Sequence, residues 1–93
     1  MNLSNKASVI IVTYNHKKYV KICLSTVLDN KPLEVIVVDN CSTDGTVELI
    51  QKEFSQVKLI KSPKNLGYGG GNNLGVKHAK GEYVVILNPD TRV

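Results

Sequence analysis

Glu34-Val35-Ile36-Val37-Val38-Asp39 is the stretch on which the reading of the fold turns. A strand with one wet face alternates apolar and polar residues. Four β-branched residues in a row mark instead a strand covered on both faces, as in a parallel sheet packed between helices. Two further runs have the same character, Ser8-Val-Ile-Ile-Val-Thr13 and Tyr83-Val-Val-Ile-Leu87. Val57-Lys-Leu-Ile60 alternates more and suits an edge strand.

Working outward, helical spacing fills the gaps. Val20, Cys23, Leu24, Val27 and Leu28 repeat at i, i+3, i+4, i+7, i+8 and predict a helix from Lys17 to Asp29, stopped by Lys31-Pro32. Val47, Ile50 and Phe54 give a second stripe over 43–54, with Ser42, Thr43 and Asp44 offering N-cap oxygens. A third helix is predicted over 70–79. Its Gly71, Gly75 and Ala79 form a small-residue face suited to close approach, and Gly81 is read as its stop signal. Residues 63–71 read as a Gly- and Asn-rich loop, and residues 1–6 as a flexible N-terminus. The order β-α-β-α-β-α-β predicts one α/β domain over residues 7–93, a Rossmann-like parallel sheet with right-handed crossovers.

Composition narrows the function. At 42% hydrophobic and 22% charged, the 93 residues fit a soluble globular domain with a small core. The net charge of +4 comes from scattered lysines, which read as solvated faces or as attraction to an anionic ligand or membrane surface. One arginine and no recognition motif argue against nucleic acid. Cys23 and Cys41 form neither a disulfide framework nor a zinc spacing and fit a reducing, cytoplasmic compartment, with Cys23 a small core residue. His16 and His78 read as non-catalytic, flanking helices or facing solvent. No apolar run approaches the length of a membrane span.

In an open parallel sheet, ligands bind beyond the carboxyl ends of the strands. That rule selects Thr13-Tyr14-Asn15, Asp39-Asn40-Cys41-Ser42, residues 62–71 and Asn88-Pro89-Asp90, which are also the polar, turn-forming segments. Asp39 can accept hydrogen bonds from a ribose or a base, or cap the following helix; its position does not choose between these. Asp90 can serve as a carboxylate ligand for Mg²⁺ or Mn²⁺ beside substrate phosphates, or close an Asx turn after Pro89. The run from Asn65 to Asn73 can bring backbone N–H groups to a phosphate. It is not a dinucleotide fingerprint, since Asn72 stands where the last glycine belongs.

Together these segments resemble the family 2 glycosyltransferases of GT-A fold. The resemblance rests on Val9-Ile-Ile-Val-Thr-Tyr-Asn15, Glu34-Val-Ile-Val-Val-Asp-Asn40 with Ser42, Asp44 and Gly45-Thr46, Asn65-Leu-Gly67 with Gly71-Asn72, and Gly81-Glu-Tyr-Val-Val-Ile-Leu-Asn-Pro-Asp90. Leu87-Asn-Pro-Asp-Thr91 is most similar to the rhamnosyltransferase-like branch. The resemblance implies that Thr13, Tyr14 and Asn15 line a nucleotide pocket and that Asp39 contacts the base or ribose. Asn65, Gly67 and Asn72 would surround the nucleotide and diphosphate. Asn88-Pro-Asp90 would take the place of the family's Asp-x-Asp motif, with Asn88 beside the nucleotide-sugar and Asp90 as the metal-facing carboxylate.

The implied reaction is inverting, metal-assisted transfer from a UDP- or dTDP-linked sugar to a saccharide or lipid-linked acceptor in polysaccharide biosynthesis. The family's catalytic base is expected beyond Val93, so the expectation for these residues is the N-terminal, donor-binding half of the fold, without turnover. Peripheral placement at the inner face of the membrane and a homodimer through an unpaired β4 edge complete the expectations. A nucleotidyltransferase would carry a Gly-rich basic loop after the first strand, where Thr13-Tyr-Asn-His16 has no glycine. A phosphorylated receiver module, the non-catalytic alternative, would carry acids there, and the first acid of the chain is Asp29.

Overall fold

The computed structural model describes residues 5–90. The expectation of flexibility at residues 1–4 and the Thr91 of the branch motif lie outside the described residues.

Seven elements follow one another: β1 (Ala7–Thr13), α1 (Lys17–Asp29), β2 (Glu34–Asp39), α2 (Thr46–Glu53), β3 (Lys58–Lys61), α3 (Gly67–His78) and β4 (Tyr83–Leu87). All strand pairs are parallel, in the order β3-β2-β1-β4. The chain therefore steps one way from β1 to β3, then α3 carries it back across β2 and β1 to the far edge. With right-handed crossovers, that reversal puts α1 and α2 on one face and α3 on the other.

The period of two in the strands sorts the core accordingly. Val9, Ile11, Val35 and Val37 pack with Val20, Cys23, Leu24 and Val27 of α1 and Ile50 of α2. Ile10, Val12, Ile36 and Val38 face the other way and pack with Leu74 and Ala79 at α3. The helical stripe predicted for α1 is the buried one, with Leu28 half-buried.

Four expectations need correction. β4 reads as a strand covered on both faces, yet Tyr83, Val84 and Ile86 are 58%, 42% and 46% exposed. The strand order places it at an edge, and α3 packs over β1 and β2 rather than over β4. α2 starts at Thr46 rather than Thr43: Ser42 Oγ is turned to Asp39, Gly45 is the N-cap, and of the expected oxygens Asp44 Oδ1 meets the helix by accepting from Thr46 N. α3 starts at Gly67, so the expected loop is shorter than 63–71. Its glycines lower helix propensity, but a Cβ on Gly71 would stand 2.7 Å from Val12 Cγ1, and one on Gly75 2.6 Å from Ile10 Cγ2. Contact with the sheet outweighs propensity. Finally, α3 ends at Ala79 in extended conformation, and Gly81 is no left-handed cap. It has no side chain because β1 is in the way: a Cβ there would lie 2.5 Å from the Lys6 carbonyl oxygen and 2.7 Å from Ser8 N.

Candidate functional site

The carboxyl edge of the sheet presents Lys61-Ser62, Asp39-Asn40, Thr13-Tyr14 and Asn88–Asp90 in spatial order, on strands ~4.8 Å apart. Among the described residues, four of the five with positive φ cluster at this edge: Asn15 (55°), Cys41 (68°), Gly45 (94°) and Gly67 (73°). The turns are tight, and side chains hold them.

Asp39 is the first organiser. It is 1% exposed. Its Oδ1 accepts from Thr13 Oγ1 at 2.7 Å and from Ser42 Oγ at 2.6 Å, and its Oδ2 accepts from Ser42 N at 2.9 Å. The carboxylate caps the loop after its own strand and not α2. Asn15 joins the β1 loop to the same loop, its N–H donating to Ser42 Oγ at 2.8 Å and its Oδ1 accepting from Thr43 N at 2.8 Å. Asp44 continues the lattice by accepting from the N–H groups of Lys17 and Thr46 and from the Thr46 hydroxyl. Burial pushes its carboxyl up, but the Thr46 hydroxyl and these N–H donors outweigh that and hold it below the usual Asp value.

Asn40 is the second organiser, 2% exposed. Its backbone N–H donates to Thr13 O at 2.9 Å. Its Nδ2 donates to Gly67 O at 3.0 Å and its Oδ1 accepts from Leu66 N at 3.3 Å. Asn65 Oδ1 in turn accepts from Gly67 N at 2.8 Å. One amide thus joins the end of β2 to the start of α3.

Two clefts flank this point. One, of about 240 Å³, is lined by Val12, Tyr14, His16, Asn40, Asn65, Gly67 and Tyr68. The Tyr14 and Tyr68 rings are 48% and 52% exposed over an apolar floor. His16 Nδ1 accepts from Tyr14 N at 2.9 Å, which leaves Nε2 to carry the proton of a neutral ring. The other cleft, of about 310 Å³ on the α2 side, is lined by Asp39, Cys41, Ser42, Glu48, Lys61 and neighbours. Its two acids beside one lysine suit an anion poorly, whereas exposed aromatic rings with amides between them suit a planar, hydrogen-bonding base.

The residues picked from sequence divide. Tyr14, Asn65 and Gly67 line the aromatic cleft. Thr13 is fully buried and lines neither cleft; its hydroxyl serves Asp39. Asp39 lines the α2-side cleft, with both oxygens held by protein donors. Asn15 is engaged in the loop lattice. Asn72 is 8% exposed and its Oδ1 is a buried acceptor without a hydrogen-bond partner. Asn88 and Asp90 are exposed beyond β4, and the Asn88 carbonyl accepts from Cys23 Sγ at 3.7 Å.

Sequence reasoning did not single out Asn40 and Tyr68; His16, read as flanking the first helix, does stand at the N-cap of α1 and lines the cleft from there. Asn40 sits in a turn-forming run where its amide has no evident partner, and Tyr68 is hidden among glycines that read as loop.

No group of three or more His, Cys, Asp or Glu able to hold a metal exists among the described residues. Asp90 is an exposed carboxylate beyond the carboxyl end of β4. That donor set fits a Mg²⁺ or Mn²⁺ ion that arrives with a diphosphate and keeps waters, and not a dedicated protein cage.

Comparison with known proteins gives the same architecture and a family. The description Glycosyl transferase family 2 matches residues 8–93. The chain belongs to this family. It is 35% identical over 92 residues to the poly(ribitol-phosphate) beta-N-acetylglucosaminyltransferase TarS of Staphylococcus aureus, covering 91% of this chain and 16% of TarS. It is 32% identical over 87 residues to the chondroitin synthase of Escherichia coli, covering 89% of this chain and 13% of the synthase. The crystal structure of S. aureus TarS 1-349 in complex with UDP superposes with a TM-score of 0.82 at 35% identity, over 90% of this chain and 27% of that one. This family 2 chain therefore has the Rossmann-like α/β architecture of its GT-A neighbours. It spans about a sixth or less of these two curated relatives.

Proposed function

We infer that the chain is the donor-binding part of a glycosyltransferase that takes a UDP- or dTDP-linked sugar. The observation that carries this is the cleft between Tyr14 and Tyr68, with Asn40 and Asn65 at its polar edge. The rings hold the base by stacking and the exposed Asn65 amide meets its hydrogen-bonding edge, while the Asn40 amide is committed to Leu66 and Gly67. Asp39 acts from behind: through Thr13 and Ser42 it fixes the two loops that set Tyr14. Asn72 offers a buried acceptor with no partner, which a donor group on the ligand or a water would satisfy.

Asp90, with Asn88 beside it, would hold Mg²⁺ or Mn²⁺ together with the diphosphate. The metal supplies Lewis-acid stabilisation of the departing diphosphate when bound. Inverting transfer to a saccharide or lipid-linked hydroxyl needs a general base, and we assign that base to sequence outside these residues, so the 93-residue chain binds donor without turnover. A rhamnosyl donor is favoured by the Leu87-Asn-Pro-Asp-Thr91 resemblance. Polysaccharide synthesis in the cytoplasm, at the inner membrane face, follows the same resemblance and the basic surplus of the chain. The open edge at β4, with Tyr83, Val84 and Ile86 exposed, supports a homodimer.

Calorimetric titration with UDP and dTDP, with and without Mn²⁺, tests the reading. Tyr14→Ala and Tyr68→Ala should each weaken nucleotide binding by ~1–3 kcal/mol, the usual worth of a base stacked on an aromatic ring. Asp90→Ala should abolish the Mn²⁺-dependent part alone. Equal affinity in both tyrosine variants and the unaltered chain would overturn the assignment of the cleft.

A further inference from the structure

The cleft assigned above to the nucleotide has walls from two crossovers that are distant in sequence. Tyr14 belongs to the loop after β1, and Asn65, Gly67 and Tyr68 belong to the entry of α3. Among the described residues neither segment is hydrogen-bonded directly to the other; Asn40 reaches both. Its backbone N–H is fixed to Thr13 O at 2.9 Å, and its side-chain amide gives one bond to and takes one bond from the 66–67 peptide segment. Asn40 is 2% exposed, and its amide lies against α3 at Gly71, where an added Cβ would stand 3.2 Å from Nδ2.

The geometry points to Asn40 as a positioning residue of the donor site: its amide, by donating to Gly67 O and accepting from Leu66 N, sets Asn65 and Tyr68 opposite Tyr14. This rests on the donor-site reading. The role requires a group that is donor and acceptor at once. An amide meets that need and so does a neutral carboxylic acid; a carboxylate only accepts. In Asn40→Asp the ionised side chain keeps the bond from Leu66 N but turns an oxygen toward Gly67 O. Protonation restores the lost donor. Burial raises a carboxyl pKa, which brings the recovery above the ordinary Asp value of ~3.9.

The test is UDP and dTDP titration of the unaltered chain and of Asn40→Asp at pH 7.5 and pH 5, with far-ultraviolet circular dichroism to follow the fold. Groups nearby also titrate or carry charge: Asp39 on the same strand, Lys61 paired with Asp39 in register, Tyr14 and His16 on the β1 loop, and Tyr68 on α3. The unaltered chain measured at both pH values carries their share. Expected is a loss of about tenfold in affinity for Asn40→Asp at pH 7.5, most of it regained at pH 5. A deficit equal at both pH values, or none, overturns the proposal. Hydrogen exchange in the unaltered chain stands in if the variant does not fold: Leu66 N–H should be protected, and exchange as fast as in open loops overturns the proposal without reference to ligand. If the unaltered chain binds neither nucleotide while Leu66 N–H is protected, the donor-site reading has failed and the proposal falls with it. If it binds and Leu66 N–H is unprotected, the proposal alone falls.

Discussion

Ser8 and Glu34 stand at one end of the sheet, Asp39 and Asn40 at the other, and each pair ties together segments far apart in sequence. At the amino end, Ser8 is fully buried. Its hydroxyl donates to Glu34 Oε2 at 2.6 Å and accepts from Gly81 N at 2.8 Å, while Lys80 N donates to the same Glu34 oxygen at 2.6 Å. Gly81 is pressed onto the β1 backbone. Every group there is used to seat the turn that feeds β4, and little is left for a ligand. At the carboxyl end the same kind of bonds tie the loops to one another. Asp39 and Asn40 are buried, yet what they fix in place, Tyr14, Asn65 and Tyr68, is exposed. One end spends its polar groups on closing the fold, the other on presenting a surface, and the left-handed residues Asn15, Cys41, Gly45 and Gly67 gather at the second.

The contrast can be broken from either side. The largest effect is expected at the amino end. Gly81→Ala sets a methyl against backbone atoms that cannot swing aside, an overpacking cost of ~3 kcal/mol. For a domain of this size that lowers the melting temperature by more than ~10 °C. Nucleotide affinity of the molecules that remain folded should be unchanged, since no cleft residue is touched. A melting temperature within ~2 °C of the unaltered chain would show that the latch is loose.

Next comes Asp39→Ala, which deprives Thr13 Oγ1, Ser42 N and Ser42 Oγ of their acceptor. Because the lost acceptor is charged and buried, the cost is ~2 kcal/mol. Here stability and nucleotide affinity should fall together, in denaturation and calorimetry respectively. Lost stability with unaltered affinity would remove the distinction between the two ends.

The smallest effect sharpens the comparison through pH. Partial burial raises the Glu34 carboxyl, but the Ser8 hydroxyl and the Lys80 N–H, helped by the Lys58 and Lys80 charges, outweigh it and hold the group below its ordinary value of 4.5. A depressed pKa contributes stability that is present above pH ~4.5 and is lost as pH falls through the folded-state value. Asp44 adds a similar loss at the other end, from below its ordinary 3.8. Glu34→Gln should therefore lower stability at pH 7 and make the decline toward pH 3 shallower, with the Asp44 share remaining. Parallel acid limbs for the two proteins would contradict the latch.

How much of this was legible beforehand follows from what each pattern encodes. Strand identity, the α1 stripe and the order of elements are local: β-branched runs and 3.6-residue spacing are properties of consecutive residues, and they name the parallel α/β class and the edge where ligands sit. The motif residues Tyr14, Asn65 and Gly67 could be placed at the cleft for the same reason, being on strand-end loops. The sequence alone also showed that a glycine face on α3 meant close approach.

The rest depends on what stands opposite. Whether Tyr83-Val-Val-Ile-Leu87 is covered depends on where α3 lands, and no local pattern states that. Asp39 and Asn40 are adjacent and both polar, yet one turns its side chain to Thr13 and Ser42 and the other to Leu66 and Gly67. Gly81 reads as a helix stop but is small because Lys6 and Ser8 lie against it. The physical reason is common to all three: periodicity fixes which way a side chain points from its own backbone, while its partner, and hence its role, comes from strand order and crossover hand, which bring residues 26 or more positions apart into contact.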